Sequence, residues 1–342
     1  MAIEPAGIDA LPEADQVLAI VPHHAFERRA MGSPLRLTVT GVGAVAARRA
    51  WERVSADIER TEAELSRFRE ESDITRLNRA VLAGRAAPGG GGPWIPIPRR
   101  LLSSLVAARR AWRATDGRFD PRVLADLERL GFLGVPVLPD GRDTHNRPTM
   151  EPGEWLECDP RRGTARLTAP VDLGGIGKGL ALRWAWRALR RGPGAPAGAL
   201  LEAGGDLVLD GPAPDGDAWR IGIEDPCGRE WPIAVLHVGR GAVVTSSVQV
   251  QRWQGEDGRV VHHLIDPLTG EPGGEGLLSV TVAGRDPAWS EIWSKTLFLC
   301  GRTRVAHAAR ASGLAAWWVA EDGSLEMTPA ARPMTIWTAS GY

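Results

Sequence analysis

The chain has 342 residues, with 41 basic and 42 acidic side chains and a formal net charge of −1. So even a balance argues against a nucleic-acid binder, whose surface must offset phosphate charge. An apolar fraction of 43% is enough for a sizeable core, and 41 Gly with 26 Pro imply many turns. Fourteen Trp against one Tyr suggest bulky core filling. Cys158, Cys227 and Cys300 are far apart and form no CxxC pair, so neither zinc binding nor a disulfide framework is indicated. They are expected to be small buried residues, consistent with a reducing compartment.

Residues 1–22 are acidic and interrupted by Pro, without a basic start or a long apolar run. They are expected to form a tail, not a signal peptide, with residues 23–342 forming the folded domain. No stretch reaches the ~18 apolar residues of a membrane span, so a soluble, cytoplasmic protein is expected, without membrane insertion.

Arg36 to Val39 alternate polar and apolar, as a half-buried strand does. A helix is predicted from about Ala44 to Arg67, with Val45, Ala46, Trp51, Val54, Ile58 and Leu65 near helical spacing. Its charges (Arg48, Arg49, Glu52, Asp57, Glu59, Arg60) are expected to form a solvated face. Residues 81–96 form a Gly/Pro linker; its Gly run lacks the Lys-Ser/Thr of a P-loop. A second helix is predicted for Pro98–Thr115, a loop for Pro136–Pro152, and a third helix for Lys178–Arg191, ended by Gly192-Pro193. Short strands are expected at Ala199–Leu201, Leu207–Leu209, Trp219–Ile223, Ile233–Val238, Ala242–Thr245, Leu278–Val282 and Ala315–Val319. Helices are expected at Glu291–Cys300 and Val305–Ala311. Helices and strands do not alternate regularly, so the fold class is α+β with mixed or antiparallel sheets rather than a doubly wound fold.

Five segments carry chemistry. In Asp172-Leu-Gly-Gly-Ile-Gly-Lys-Gly179 the glycines remove side chains where a ligand could approach, a helix start follows, and Lys178 adds charge. The pattern suits an anion or a structural turn. His262-His263-Leu-Ile-Asp266-Pro-Leu-Thr-Gly270 places a candidate base, His263, three residues before an Asp that could orient its ring. Thr115-Asp-Gly-Arg-Phe-Asp120 is a turn whose Asp116 and Asp120 could hold a ligand or close the backbone. Leu201-Glu-Ala-Gly-Gly-Asp206 runs a strand into a Gly-Gly turn, and Val244-Thr-Ser-Ser247 is a hydroxyl cluster at a strand end.

Together with Met31-Gly32-Ser33 and Ser66-Arg-Phe…Ser72-Asp-Ile-Thr-Arg-Leu-Asn78, these segments stand in the order of a known family. Over about residues 28–320 the chain resembles the ApbE-type FAD:protein FMN transferases. The resemblance implies a two-lobed α+β fold with FAD in the cleft and Mg²⁺ on its pyrophosphate. It implies an acceptor protein whose Thr or Ser hydroxyl attacks the FMN phosphorus, with release of AMP. By matching positions, it implies FAD contacts from Met31, Asp116, Gly117, Phe119, Asp172, Lys178, Thr245, His263 and Ile265. His263, Asp172 and Lys295 become the candidate catalytic residues, and Gly175 (backbone oxygen) and Glu291 the candidate metal ligands.

The chain departs from the family in Ser290-Glu-Ile-Trp-Ser-Lys-Thr-Leu297. Glu291 stands where the family has a metal-binding Asp, and Lys295 where it has a metal-binding Thr. A protonated Lys has no lone pair for a cation, and Glu291 and Lys295 are spaced i, i+4 for an ion pair. The expectation is that the Lys295 ammonium takes the metal's place; a register shifted by one would instead offer Thr296. Ser247 replaces a usual Gly, and Arg183 an Asp, either adding charge near the site or facing solvent. The altered ligands leave two other activities compatible with the resemblance: FAD binding without transfer, and FAD hydrolysis.

Overall fold

The computed structural model describes residues 21–85, 92–132, 134–135, 154–192, 194–255 and 258–339. In chain order the elements are β1 (His23–Ala30), β2 (Ser33–Thr40), α1 (Ala44–Leu65), α2 (Asp73–Arg85), β3 (Ile95–Pro96), α3 (Arg99–Ala114), α4 (Leu124–Arg129), β4 (Leu156–Asp159), β5 (Thr164–Leu167) and α5 (Gly174–Arg191). Then come β6 (Gly198–Ala203), β7 (Asp206–Asp210), β8 (Trp219–Ile223), β9 (Ala234–Val238), β10 (Arg240–Ser247), β11 (Arg252–Gln254), β12 (Val260–His262) and β13 (Leu277–Gly284). The chain closes with α6 (Pro287–Phe298), α7 (Arg302–Ala311), β14 (Ala315–Ala320), β15 (Leu325–Met327) and β16 (Thr335–Thr338).

Eight strands form one sheet in the order β1-β2-β6-β7-β10-β13-β14-β15, with every neighbouring pair antiparallel. Smaller sheets are β16-β9-β8, β3-β5-β4 and the β11-β12 ribbon. The α+β expectation holds, and the described strand pairs are all antiparallel. Among the described residues no helix is long and apolar enough to cross a membrane.

Alternation along the strands buries both faces of the large sheet. On one face, Leu35, Leu37 and Val39 pack under Ala47, Ala50, Val54 and Ile58 of α1 and Ala181, Ala185 and Leu189 of α5. The α1 stripe at 47, 50, 54, 58, 61 and 65 follows helical spacing. Val45 lies outside it and is exposed. Further along, Val280, Val282 and Trp318 meet Leu297 and Phe298 of α6 and Val305 and Ala309 of α7. On the other face, Trp317 and Val319 pack with Trp219, Ile221 and Leu236 of the small sheet. Consecutive Trp317 and Trp318 thus fill opposite cores, which accounts for part of the Trp richness. A separate cluster joins α2 and α3 to α5 through Ile74, Leu77, Val81, Leu101, Leu105, Trp155 and Val171.

Four expectations change. The 81–96 linker is too long: α2 runs to Arg85 and β3 takes up Ile95–Pro96, with 86–91 outside the described residues. The glycine-rich motif does not precede a helix but forms the first turns of α5, which starts at Gly174. Asp57 leaves the solvated face of α1 and grips Arg100 of α3 at 2.8 Å. Of the cysteines only Cys300 is buried; Cys158 is half-buried and Cys227 exposed. The 136–152 loop lies wholly outside the described residues. Most of the tail does too, although the Val21 amide donates to the Pro214 carbonyl at 2.9 Å.

Candidate functional site

The site forms where α5 begins. Upstream of it, Asn78 of α2 donates to the Val171 carbonyl (2.8 Å) and accepts from the Val171 amide (2.9 Å), all within the core. This pair of hydrogen bonds fixes the residue before Asp172. Asp172 Oδ1 accepts the Gly174 amide at 2.5 Å and its Oδ2 pairs with Arg67 at 3.2 Å. Its carboxylate is therefore engaged within the chain: it shapes the first turn of α5. The Arg67 guanidinium is buried, lies 4.7 and 4.8 Å from the Phe68 and Phe132 ring centres, and donates to the Phe132 carbonyl at 2.6 Å.

The glycines of that turn do different jobs. A Cβ on Gly179 would fall 2.5 Å from the Ala288 Cα, so this glycine lets α6 lie against α5. On Gly175 it would meet Phe119 at 2.9 Å and Lys295 Cδ at 3.7 Å. On Gly177 it would meet nothing within 4 Å, so that position faces open space.

Two ammonium groups flank the turn. Lys178 Nζ pairs with the buried Asp206 at 2.6 Å. Burial pulls its pKa down, but the charges of Asp206 and Glu291 outweigh this and hold it above the usual lysine value. Lys295, on α6, donates to Glu291 Oε1 at 3.0 Å, and Glu291 Oε2 accepts the Gly179 amide at 2.8 Å. Glu291 is fully buried. The i, i+4 pair expected from the sequence is thus present, whereas Thr296 turns inward and donates to the Ile292 carbonyl at 2.8 Å. Arg183 takes neither expected position: it pairs with Asp286, the N-cap of α6, tying the start of α6 to the middle of α5.

His263 follows β12. Its ring is held through Nδ1 by the Gln251 carbonyl at 3.3 Å, not by Asp266, which accepts the Leu268 amide to close its own turn. A carbonyl accepts only from a protonated nitrogen, so Nδ1 carries the hydrogen and Nε2 the lone pair. Burial first, then the Lys295 charge, push the ring's pKa from 6.5 to about 3, with Lys178 adding to the shift. The imidazole is therefore neutral at physiological pH. Phe132 tilts against it at 6.4 Å and stacks on Trp253 at 5.0 Å.

The structure brings Gly175, Lys178, Glu291, Lys295 and His263 together, with Phe119 touching Gly175. Thr245 joins through Asp206, whose Oδ1 lies 3.4 Å from the Thr245 amide, and its hydroxyl bonds that of Thr281 at 2.9 Å. Met31 sits in the β1–β2 turn with φ 52°, and Gly204, in the turn leading to Asp206, bonds Pro34 beside it. Asp116 (φ 51°) and Gly117 form the turn after α3, just before Phe119. Ile265 is buried with Leu127, Leu130 and Val261, behind the histidine. Asp206, Arg67 and Gln251 carry roles the sequence did not assign. The first two lay within the motifs; nothing marked Gln251.

The donor set does not fit a divalent cation. Both Glu291 oxygens are engaged, one of them by an ammonium that occupies the side-chain position a second ligand would need. A metal placed there would also face Lys295 as a like charge.

The ApbE family profile matches residues 31–318. The chain belongs to the ApbE family. An ApbE relative from Salmonella typhimurium, named FAD:protein FMN transferase, is 26% identical over 93% of this chain and 89% of its own length. One of the same name from Klebsiella pneumoniae is 28% identical over 81% of this chain and 83% of its own. Among solved structures, the ApbE protein from Thermotoga maritima has a TM-score of 0.75 at 25% identity, covering 92% of this chain and 99% of that one. The flavin transferase ApbE from Vibrio cholerae, at 21% identity and TM-score 0.72, shares the ApbE fold over the same shares.

Proposed function

We propose that this chain transfers the FMN half of FAD to a Thr or Ser hydroxyl of an acceptor protein and releases AMP. The observation that carries the reading is a neutral His263, its Nε2 lone pair free to accept a proton, beside two ammonium groups and a bare glycine turn. The relatives named FAD:protein FMN transferase support it. In this reading the pyrophosphate lies over Gly174–Gly177 at the start of α5, where amides and Lys178 meet its charge. The acceptor oxygen forms a bond to the FMN phosphorus while the bond from that phosphorus to the AMP oxygen breaks. The electron pair leaves with AMP and the hydroxyl proton passes to His263 Nε2. Asp172 positions the turn rather than touching the reacting atoms.

The test is incubation with FAD and a candidate acceptor, followed by AMP release and the acceptor's mass. Gain of one FMN by the acceptor is expected, and His263→Ala should slow transfer by about 10²–10⁴-fold while leaving FAD bound. FMN appearing without an acceptor would point to hydrolysis. FAD left intact with every acceptor tried would overturn the transferase reading.

A further inference from the structure

Glu291 has no exposure and no oxygen to spare: one takes the Gly179 amide, the other the Lys295 ammonium. Lys295 differs. An ammonium has three donors, and Glu291 takes one. Its side chain keeps 15% exposure and reaches from α6 across to α5, passing 3.7 Å from where a Gly175 Cβ would sit. The remaining donors therefore lie beside the Gly175 face at the start of α5. The field of Lys295 is felt at His263, where it helps to depress the ring's pKa. Lys178 stands on the other helix with its own buried carboxylate. The Gly179 contact and the Arg183–Asp286 pair hold the two helices in register. The two positive charges are thus carried by two helices fixed against each other.

We propose that Lys295 supplies from within the chain the positive charge that a divalent cation would otherwise bring to the FAD pyrophosphate, so that FAD is bound and turned over without Mg²⁺. This rests on the FAD reading above. As the bond to AMP breaks, negative charge grows on the leaving oxygen. Lys295 stays an ammonium throughout, stabilising that charge without donating a proton, which His263 accepts from the acceptor.

The experiment is calorimetric titration of FAD into the chelator-treated full chain, first in EDTA and then in excess Mg²⁺. The expected dissociation constants agree within about twofold. Lys295→Met should weaken FAD by about tenfold or more in both buffers, the loss of a charge-assisted hydrogen bond. Because that variant leaves Glu291 buried and unpaired, the Glu291→Gln/Lys295→Met double variant is measured beside it, with circular dichroism to confirm folding. A Lys295→Thr variant that regains affinity on adding Mg²⁺ gives further support. Tenfold tighter binding by the unaltered chain in Mg²⁺ overturns the inference but leaves the FAD reading standing. A folded double variant that binds FAD as tightly as the unaltered chain does the same. No binding in either buffer overturns both.

Discussion

Replacing Gly179 by Ala tests whether the close approach of α5 and α6 organises the site. The new methyl would lie 2.5 Å from Ala288 Cα, 2.6 Å from the Pro287 carbonyl oxygen and 2.7 Å from the Ala288 nitrogen. All three are backbone atoms, so no side-chain rotation relieves the clash. Non-bonded carbons rest at about 3.5–4.0 Å, so α6 must retreat by about 1 Å. Overpacking of this kind costs about 1–3 kcal/mol. The retreat also pulls Glu291 Oε2 from the Gly179 amide, a charge-assisted bond worth about 1.5–3 kcal/mol. Alanine's better helix propensity returns about 1 kcal/mol. The net loss is about 1.5–5 kcal/mol, a large part of the 5–15 kcal/mol typical of a domain. Urea unfolding should show a lower midpoint at an unchanged slope. A loss under about 1 kcal/mol would refute the argument. Gly177→Ala is the matched control. Its methyl meets nothing within 4 Å, so it should stabilise the fold by up to about 1 kcal/mol.

Other outcomes follow from the same geometry. His263 titrates near 3 when folded and near 6.5 when free. The transfer rate should therefore show no acid limb between pH 8 and pH 5; a limb at about 6.5 would contradict the depressed pKa of the half-buried ring. The sign for stability is the reverse of a gained partner. Below 6.5 the unfolded chain takes up a proton that the folded chain refuses, so this histidine lowers stability as pH falls from 6.5 towards 3 and has no effect above 6.5. Asn78→Ala orphans the buried amide and carbonyl of Val171 and should cost about 2–5 kcal/mol in urea unfolding; a near-neutral result would mean the Asp172 turn needs no anchor. Lys178→Met leaves Asp206 buried without its cation, a loss of about 3–5 kcal/mol that a thermal melt would detect.

The sequence disclosed what local spacing encodes. Val54, Ile58 and Leu65 of the α1 stripe, six of the eight strands of the large sheet and the Glu291–Lys295 pair are all patterns within one element, whereas Ala47, Ala50 and Thr61 of the stripe and strands β1 and β15 were passed over. It misplaced the start of α5 because glycine opposes helix on propensity, and only packing against Ala288 favours it there. It passed over α2, whose Ile74, Leu77 and Val81 are spaced for a helix but run into the Gly/Pro segment that masked its end. It paired His263 with Asp266, the nearest candidate in sequence; the ring's actual partner, the Gln251 carbonyl, comes from β11's approach and is a backbone atom that leaves no mark in residue type. Lys178 with Asp206 and Arg183 with Asp286 are likewise products of tertiary folding.

Among the described residues the eight-stranded sheet has two edge strands, and they are protected differently. β15 is only three residues long, too short to template another chain. β1 is eight residues long, but its outward positions include Glu27 and Arg29. Any neighbour pairing there would have to strip water from both charges without a guaranteed counterpart. A large antiparallel sheet is thereby discouraged from adding strands from neighbouring chains along its rim.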